Sequence, residues 1–277
     1  MTLSRHAAPA RVPLLVLTAA LALPAVVASQ VPDRPEHAMG LAIGLSDFHQ
    51  RDEYLAPVTY GGTILAGSAL YERRHGRALL RVDAAATIGG TSAGALPRDA
   101  RQYVARLSVT VLHALGDPGA EGRRWTVYVG GALTTFGAIC DFKATDTEYG
   151  YTYEDVSWYW SHSLDLALRA EYRRGARSVS LQLSSPALRL VSRPENGKEY
   201  NAANDRVTDS WPRAMLGGRL EFPWENALVF GQAEYRQRLG GRLQLRAAYD
   251  FTYAMSDRPL ALGMYMNQLQ VGLLWPM

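Results

Sequence analysis

Residues 267–275, with the sequence NQLQVGLLW, decide how this chain folds. Successive side chains of a β-strand point to opposite faces of the sheet, so alternation in the sequence separates the two faces. One face of this stretch carries Leu269, Val271, Leu273 and Trp275, and the other carries Gln268, Gln270 and Gly272. The stretch is therefore predicted to be a strand with one apolar face and one polar or small face.

The same alternation recurs along most of the chain, whereas the periodicity of an amphipathic helix is almost absent. The predicted strands are 39–48, 59–73, 78–89, 104–112, 125–139, 160–172, 177–191, 228–238, 242–253 and 267–275. Many of these runs are well above the usual strand length of about 5 to 6 residues. The sequence thus predicts an all-β chain with about ten long antiparallel strands.

The predicted connections alternate between short and long. The short set is 74–77, 116–124, 174–176 and 239–241, and the long set is 49–58, 90–101, 141–157 and 192–211. Segment 213–227 does not fit this alternation, because it contains a further apolar-alternating run followed by a turn-like Pro223. It either extends a strand beyond the membrane or belongs to an additional hairpin whose partner is not recognised, which makes twelve strands the main alternative to ten.

A C-terminal strand of alternating apolar residues that carries an aromatic near its end, as Trp275 does here, resembles the last strand of bacterial outer-membrane β-barrels. The resemblance implies an antiparallel up-and-down, porin-like barrel in the outer membrane of a Gram-negative cell. Its short turns would lie in the periplasm and its long loops outside. It also implies contact with outer-membrane lipid and recognition of the C-terminal strand by the barrel-assembly machinery. The resemblance is to an architecture and implies no particular activity.

The N-terminus predicts export. Arg5 and Arg11 precede the apolar run 14–23, and small residues around Ala28 fit a cleavage site. Residues 1–28 are therefore predicted to be a signal peptide, and 29–277 are predicted to form the barrel. Without those two arginines the chain has 27 basic and 26 acidic residues, because the full chain has 29 and 26. This balance, and the absence of a Lys- or Arg-rich block, argue against a nucleic-acid partner.

Aromatic residues on the apolar faces are predicted to form two girdles at the membrane interfaces, where a ring can be apolar while its N–H or O–H contacts water. Those at the short-turn end are Trp125, Tyr172, Tyr235 and Trp275, and those at the long-loop end are Tyr103, Trp160 and Tyr253. The structural alternative is a soluble barrel of the periplasm or exterior, in which the apolar faces would point inward.

The polar faces of a membrane barrel point into its lumen, and here they carry charges of both signs. The predicted lumen network consists of Arg81, Asp83, Arg106, Asp165, Arg169, Glu171, Glu234, Arg236, Arg246 and Asp250. Charges in a narrow interior are costly unless they are paired, and arginine pairs with carboxylates in a bidentate manner. A barrel of about ten strands is therefore predicted to be plugged or narrowly permeable, and a channel for small solutes is the alternative.

The sequence predicts no catalytic residue, no metal site and no cofactor. A hydrolase acting at the outer rim is the second alternative, and His162 between Ser161 and Ser163 is its only candidate; neighbouring residues on a strand point to opposite faces, which weakens such a dyad. Loop 141–157 is rich in acidic and aromatic residues and is the candidate site for an extracellular ligand. The single cysteine, Cys140, cannot form an internal disulfide.

Overall fold

The structure is a computed structural model, and it describes residues 36–53, 56–94, 98–118, 124–145, 152–194, 218–240, 243–257 and 260–277. The predicted signal peptide, 1–28, lies outside these residues. Within them, no helix has both the length and the apolar character that a membrane-spanning helix requires.

The described chain is all-β, as predicted. The strands are β1 (Glu36–Asp52), β2 (Ala56–His75), β3 (Ala78–Ser92), β4 (Arg98–Ala114), β5 (Trp125–Thr145), β6 (Thr152–Arg174), β7 (Arg177–Ser192), β8 (Arg219–Glu221), β9 (Leu228–Gly240), β10 (Leu243–Ser256) and β11 (Leu262–Pro276). They are long because each one crosses the full height of a tilted barrel, except for β8.

Ten of these strands form a closed antiparallel barrel. Neighbours in sequence pair from β1 to β7, then β7 pairs with β9, β9 with β10, β10 with β11, and β11 with β1. The last strand closes the ring along its whole length, from Ala38 opposite Pro276 to Asp52 opposite Leu262. Because Met277 N–H also donates to His37 O at 2.8 Å, the C-terminus lies beside the start of β1.

The short strand β8 settles the strand count. It pairs with β7 through Val191, Leu190 and Arg189, and β9 pairs with the same edge of β7 lower down, from Ser184 to Arg177. Strands β8 and β9 therefore form one interrupted strand that runs antiparallel to β7. The described part of segment 213–227 extends a strand, and the barrel has ten strands instead of twelve.

The apolar faces of the strands point outward. Ile43 is 75% exposed, and Leu133 and Leu269 are each 64% exposed. An apolar belt of this kind around a closed barrel would be unstable in water, and a lipid bilayer stabilises it. This finding excludes the soluble alternative, in which the same side chains would fill the core.

The predicted connections at the upper end, opposite the termini, were too long. β1 continues to Asp52 and β2 begins at Ala56, β3 continues to Ser92 and β4 begins at Arg98, and only 146–151 separate β5 from β6. The candidate ligand loop 141–157 is therefore mainly strand. Above the bilayer both faces of a strand meet water, so the ladder continues without the apolar alternation by which strands are recognised in sequence.

Candidate functional site

A buried network of arginines and carboxylates fills the lower part of the lumen, and Glu234 on β9 is its centre. The Glu234 carboxylate accepts from Arg236 Nε at 2.5 Å, from Arg246 Nε at 2.7 Å and from Arg81 Nη2 at 3.3 Å. Arg169 Nη2 lies 3.8 Å from the same carboxylate. Four strands therefore send arginines to one glutamate that is shielded from water.

A second carboxylate extends this network toward the turn end. Glu72 on β2 binds Arg236 across the lumen, with Nη2 donating to Oε2 at 2.6 Å, and it also accepts from Arg74 Nη2 at 2.7 Å. Arg74 Nη2 donates in turn to Glu171 on β6 at 2.9 Å. Glu171 also pairs with Arg173. These contacts connect opposite walls of the barrel.

The network extends upward through Asp83 and Asp250. Arg106 Nη2 lies 3.0 Å from Asp83 and 3.4 Å from Asp250. Gln232 connects this group to the lower one, because its Oε1 accepts from Arg81 at 2.6 Å and its amide donates to Asp250 at 2.7 Å. Every charge here therefore has an opposite charge or an amide nearby, as a low-dielectric interior requires.

The structure thus brings nine of the ten predicted lumen residues into one network. Asp165 is the exception: its Oδ2 accepts from the Thr134 hydroxyl at 2.6 Å, and no ion pair involves it within the described residues. Glu72, Arg74 and Gln232 also belong to the network and were not predicted from the sequence. For Glu72 and Arg74 the available signal was their alternation with buried Leu70 on β2, since these three residues share one face.

A small polar cavity lies inside the barrel at the level of Arg106. Its volume is about 30 Å³, which gives room for roughly two waters. The lining includes Arg81, Asp83, Arg106, Ser108, Thr134, Gln182, Ser184, Phe230 and Gln232. Arg81 Nη1 and Arg106 Nε are buried there without a hydrogen-bond partner in the described protein, and water in the cavity can accept from them.

Above the charged network lies an apolar layer that was not predicted from the sequence, and the buried ion pair of Arg189 and Glu221, with Nη2 3.0 Å from Oε2, lies beside it. The buried side chains of this apolar layer are Phe48, Ile64, Val104, Phe136, Ala138, Tyr159, Val191, Leu228, Phe230, Ala254, Leu262, Met264 and Met266. Phe136 lies at its centre, with ring centroids 5.8 Å from Phe230 and 6.0 Å from Tyr159. An apolar layer across a lumen this narrow excludes water and ions.

The outer end of the lumen has a separate polar cluster around Asp52. Arg193 Nη2 donates to Asp52 Oδ1 at 2.9 Å, and the Ser157 hydroxyl donates to Asp52 Oδ2 at 2.5 Å. Arg193 also donates to the Leu260 carbonyl at 2.6 Å. This cluster connects the outer ends of β1, β6 and β7 with the connection between β10 and β11.

The predicted girdle residues form two sets at different heights on the barrel wall. At the turn end Trp125 is opposite Tyr172, with ring centroids 5.0 Å apart, and Trp275 is opposite Met39. Tyr235 pairs with Val179, also low on the wall. Trp160 lies 12 residues from Tyr172 along β6. This separation corresponds to about 40 Å of strand, and at the usual strand tilt to a difference of about 30 Å in height.

At the upper end Trp160 packs over Gly137, Tyr103 pairs with Ile139, and Tyr253 pairs with Tyr265. A Cβ at Gly137 would lie 2.0 Å from the Trp160 ring, so only glycine allows this indole to lie flat on the wall. The height between the two sets is close to the apolar belt of outer-membrane barrels, about 25 Å.

His162 and Cys140 both make contacts within the barrel wall. His162 Nδ1 lies 3.1 Å from the hydroxyl of Thr135, while Ser161 and Ser163 lie on the buried, inward face. Cys140 is buried and its sulfur accepts from Gln102 at 3.2 Å. The described residues contain no cluster of three or more His, Cys, Asp or Glu that could hold a metal ion.

Comparisons with known proteins give similarities of fold only. No family model and no curated protein matches the sequence. The structure is similar to the outer membrane protease OmpT from Escherichia coli, at 8% identity and a TM-score of 0.47, covering 91% of this chain and 99% of that one. It is also similar to Ail of Yersinia pestis (8%, TM-score 0.38, 87% and 99%) and to the translocator domain of NalP from Neisseria meningitidis (10%, TM-score 0.35, 86% and 87%).

The closed ladder and the exposed apolar belt indicate that the protein lies in a membrane. Every backbone group that faces lipid needs an internal partner, and a closed barrel supplies one through its strand ladder. The belt is the lipid-facing surface of such a barrel. The chain is an outer-membrane β-barrel.

Proposed function

We propose that this protein is a closed outer-membrane barrel that acts by binding through its extracellular end. The filled lumen is the observation that supports this proposal. The charged network blocks the lower half and the apolar layer around Phe136 blocks the upper half. A barrel whose lumen is blocked at two levels has no continuous aqueous path of the kind that a general porin needs. We therefore expect its function to depend on its surfaces.

The β5–β6 hairpin is the surface best suited to binding. Above the level of Trp160 and Gly137, residues 138–145 of β5 remain paired with 159–152 of β6 in unbroken register, which makes eight pairs. Eight pairs are about 26 Å of strand, or about 20 Å of height at a tilt near 40°. β4 supports the hairpin up to Arg98, which is opposite Ala144. A supported hairpin can present a ligand site well above the lipid.

The acidic and aromatic composition of 141–157 suggests a carbohydrate ligand, since aromatic rings stack on sugars and carboxylates accept hydroxyl hydrogens. The experiment removes residues 143–154 and joins Phe142 to Asp155 through an Asn-Gly turn, because these two residues are a register pair. Binding of cells that display the protein is then measured on a glycan array and on host-cell surfaces.

The proposal predicts that the full-length protein binds and that the truncated protein does not, while both migrate as heat-modifiable barrels. A matched control exchanges residues within the lower turn, 115–118, at the opposite end. Equal binding by the truncated protein, or no binding by the full-length protein, would contradict the proposal.

The two alternatives have less support. A channel for small solutes would need the polar cavity to connect through both blocked layers. A hydrolase would need a base near a nucleophile, and His162 faces away from both neighbouring serines. We also infer that residues 1–28 direct export, that the seven girdle aromatics anchor the barrel at the lipid interfaces, and that the barrel-assembly machinery recognises β11.

A further inference from the structure

Within the described residues, the largest interruption of the barrel wall lies between β7 and the interrupted strand β8–β9. The ladder of β7 with β9 ends at Ser184 opposite Phe230, and pairing resumes only at Arg189 opposite Glu221. Residues 185–188 of β7 thus face residues 222–229, eight residues against four, and no ladder partner of 185–188 on this edge is found in the described chain.

The other edge of β7 is irregular at the same height. Its register with β6 shifts between Leu164 and Asp165, so that Pro186 is opposite Asp165 and Leu188 is opposite Leu164. Proline has no N–H to donate, and within sheets it is found at edges and bulges. β7 is therefore weakly held on both sides over the same few residues.

The facing insertion is stabilised by contacts of its own, by Met255 N–H of β10, which donates to Ala227 O at 2.8 Å, and, through Glu221, by Arg189 of β7, whose Nη2 lies 3.0 Å from Oε2. Phe222 N–H donates to Glu225 Oε2 at 2.9 Å, and Glu225 N–H donates to Phe222 O at 3.0 Å. Asn226 donates to Glu221 at 2.7 Å and accepts from Asp257 N–H at 2.8 Å. One contact crosses the interruption directly: the Ser185 hydroxyl donates to Leu228 O at 3.1 Å.

The interruption lies within the lipid-facing belt. Leu183 below it and Leu188 above it are outward and exposed, as is Leu220 on β8. Beside it the rings of Phe222 and Trp224 stack 4.8 Å apart, and Trp224 is 76% exposed. The surface around the interruption is thus continuous with the surface that contacts bilayer lipid.

Apolar residues also lie directly behind it. On the inner side of the interruption, Leu228, Phe230 and Val191 belong to the apolar layer of the lumen. The buried ion pair of Arg189 and Glu221, with Nη2 3.0 Å from Oε2, lies at its upper end. Phe230 and Ser184, the last ladder pair below it, also line the polar cavity. A hydrocarbon chain that passed between the strands would leave one apolar environment for another, with little loss of hydrophobic free energy.

We propose that this interruption is a lateral lipid site, where the acyl chain of a bilayer lipid intercalates between β7 and β9 and reaches the apolar layer of the lumen. The occupant is a bilayer lipid because the site opens onto the lipid-facing belt and the apolar side chains of Leu228 and Phe230 lie behind its lower part. This site is separate from the hairpin and does not rest on the proposed binding function.

The experiment is photo-crosslinking in phospholipid vesicles. The Cys140→Ala protein is refolded into vesicles that contain a phospholipid with a diazirine near the methyl end of one acyl chain, and adducts are located by peptide mass spectrometry. The proposal predicts adducts on the inward residues Leu228, Phe230 or Val191 in addition to outward residues such as Leu183. Adducts confined to outward residues would overturn it.

A disulfide staple provides the second test. Ser185→Cys with Val229→Cys extends the ladder by one pair beyond Ser184 and Phe230, and it is compared in its oxidised and reduced forms. Oxidation should reduce inward adducts at least about tenfold, since a disulfide restrains opening strongly, and reduction should restore them. The matched staple Val109→Cys with Leu133→Cys joins an outward pair in the continuous wall and should change nothing. Inward adducts that persist when the first staple is oxidised would overturn the proposal.

Discussion

The charge at Glu234 gives the sharpest stability prediction. Glu234→Gln keeps the shape of the side chain but removes the charge that Arg236 and Arg246 approach at 2.5 and 2.7 Å. A hydrogen bond to a charged group contributes about 1.5–3 kcal/mol and a neutral one about 0.5–1.5 kcal/mol. The two arginines donate to different oxygens of Glu234, and glutamine keeps only one acceptor oxygen. One bond is therefore weakened by about 1–1.5 kcal/mol and the other, about 1.5–3 kcal/mol, is lost, which predicts a cost of about 2.5–4.5 kcal/mol in the free energy of unfolding.

The two arginines are not affected equally. Arg236 keeps its contact with Glu72 at 2.6 Å, whereas Arg246 keeps only the Ser68 hydroxyl at 3.3 Å among its described hydrogen bonds. Glu234→Ala removes the acceptor altogether and leaves Arg246 buried without a countercharge, for which the expected cost is about 3–5 kcal/mol. Adding Arg246→Gln to Glu234→Gln should recover a large part of the stability that Glu234→Gln alone loses, because the buried charge of Arg246 is then absent.

The measurement is urea unfolding in phospholipid vesicles, followed by tryptophan fluorescence and by the heat-dependent gel shift. Glu53→Gln is the matched control, because Glu53 pairs with Arg51 at 3.6 Å on the exposed upper edge and its loss should cost less than about 1 kcal/mol. If Glu234→Gln costs no more than Glu53→Gln, or if the double variant is simply additive, the argument for a coupled buried network is wrong.

Two further predictions concern the outer surface. Leu269→Arg places a charge on the lipid-facing belt and should cost about 2–4 kcal/mol of unfolding free energy in vesicles, whereas Trp275→Arg near the interface should cost about 0–1 kcal/mol; equal costs would contradict the assigned membrane position. Gly137→Val should displace the Trp160 ring, which a Cβ would approach to 2.0 Å, and shift tryptophan fluorescence, whereas Gly90→Val, where the added Cβ meets nothing within 4 Å, should leave it unchanged.

The strand faces were predictable from sequence because lipid imposes a simple rule on them. Outward residues within the belt are predominantly apolar, so the alternation through Leu269 and Val271 also assigns Gln268 and Gln270 to the lumen. The lumen charges were predictable for the same reason. Their partners were not, since the pairing of Glu72 with Arg236 joins residues 164 positions apart and depends on the closure of the ring.

Two features had no local signal. Phe136 and Phe230 fill the lumen although a membrane barrel is expected to have a polar interior, and a single sequence does not show which inward positions meet across a narrow lumen. The interrupted strand was ambiguous because Pro223 and its neighbours predict a turn, and a turn inside a strand resembles the end of a hairpin. Only the pairing of both β8 and β9 with β7 distinguishes the two.

The claim on which the rest of the account depends is that the lumen is closed by the charged network below and the apolar layer above. Planar-bilayer recording of the refolded protein in concentrated KCl tests it directly, once membrane insertion is verified by heat-modifiable migration. A closed lumen predicts a flat current record across the accessible voltages. Reproducible stepwise openings of uniform conductance would contradict it and would favour the channel alternative.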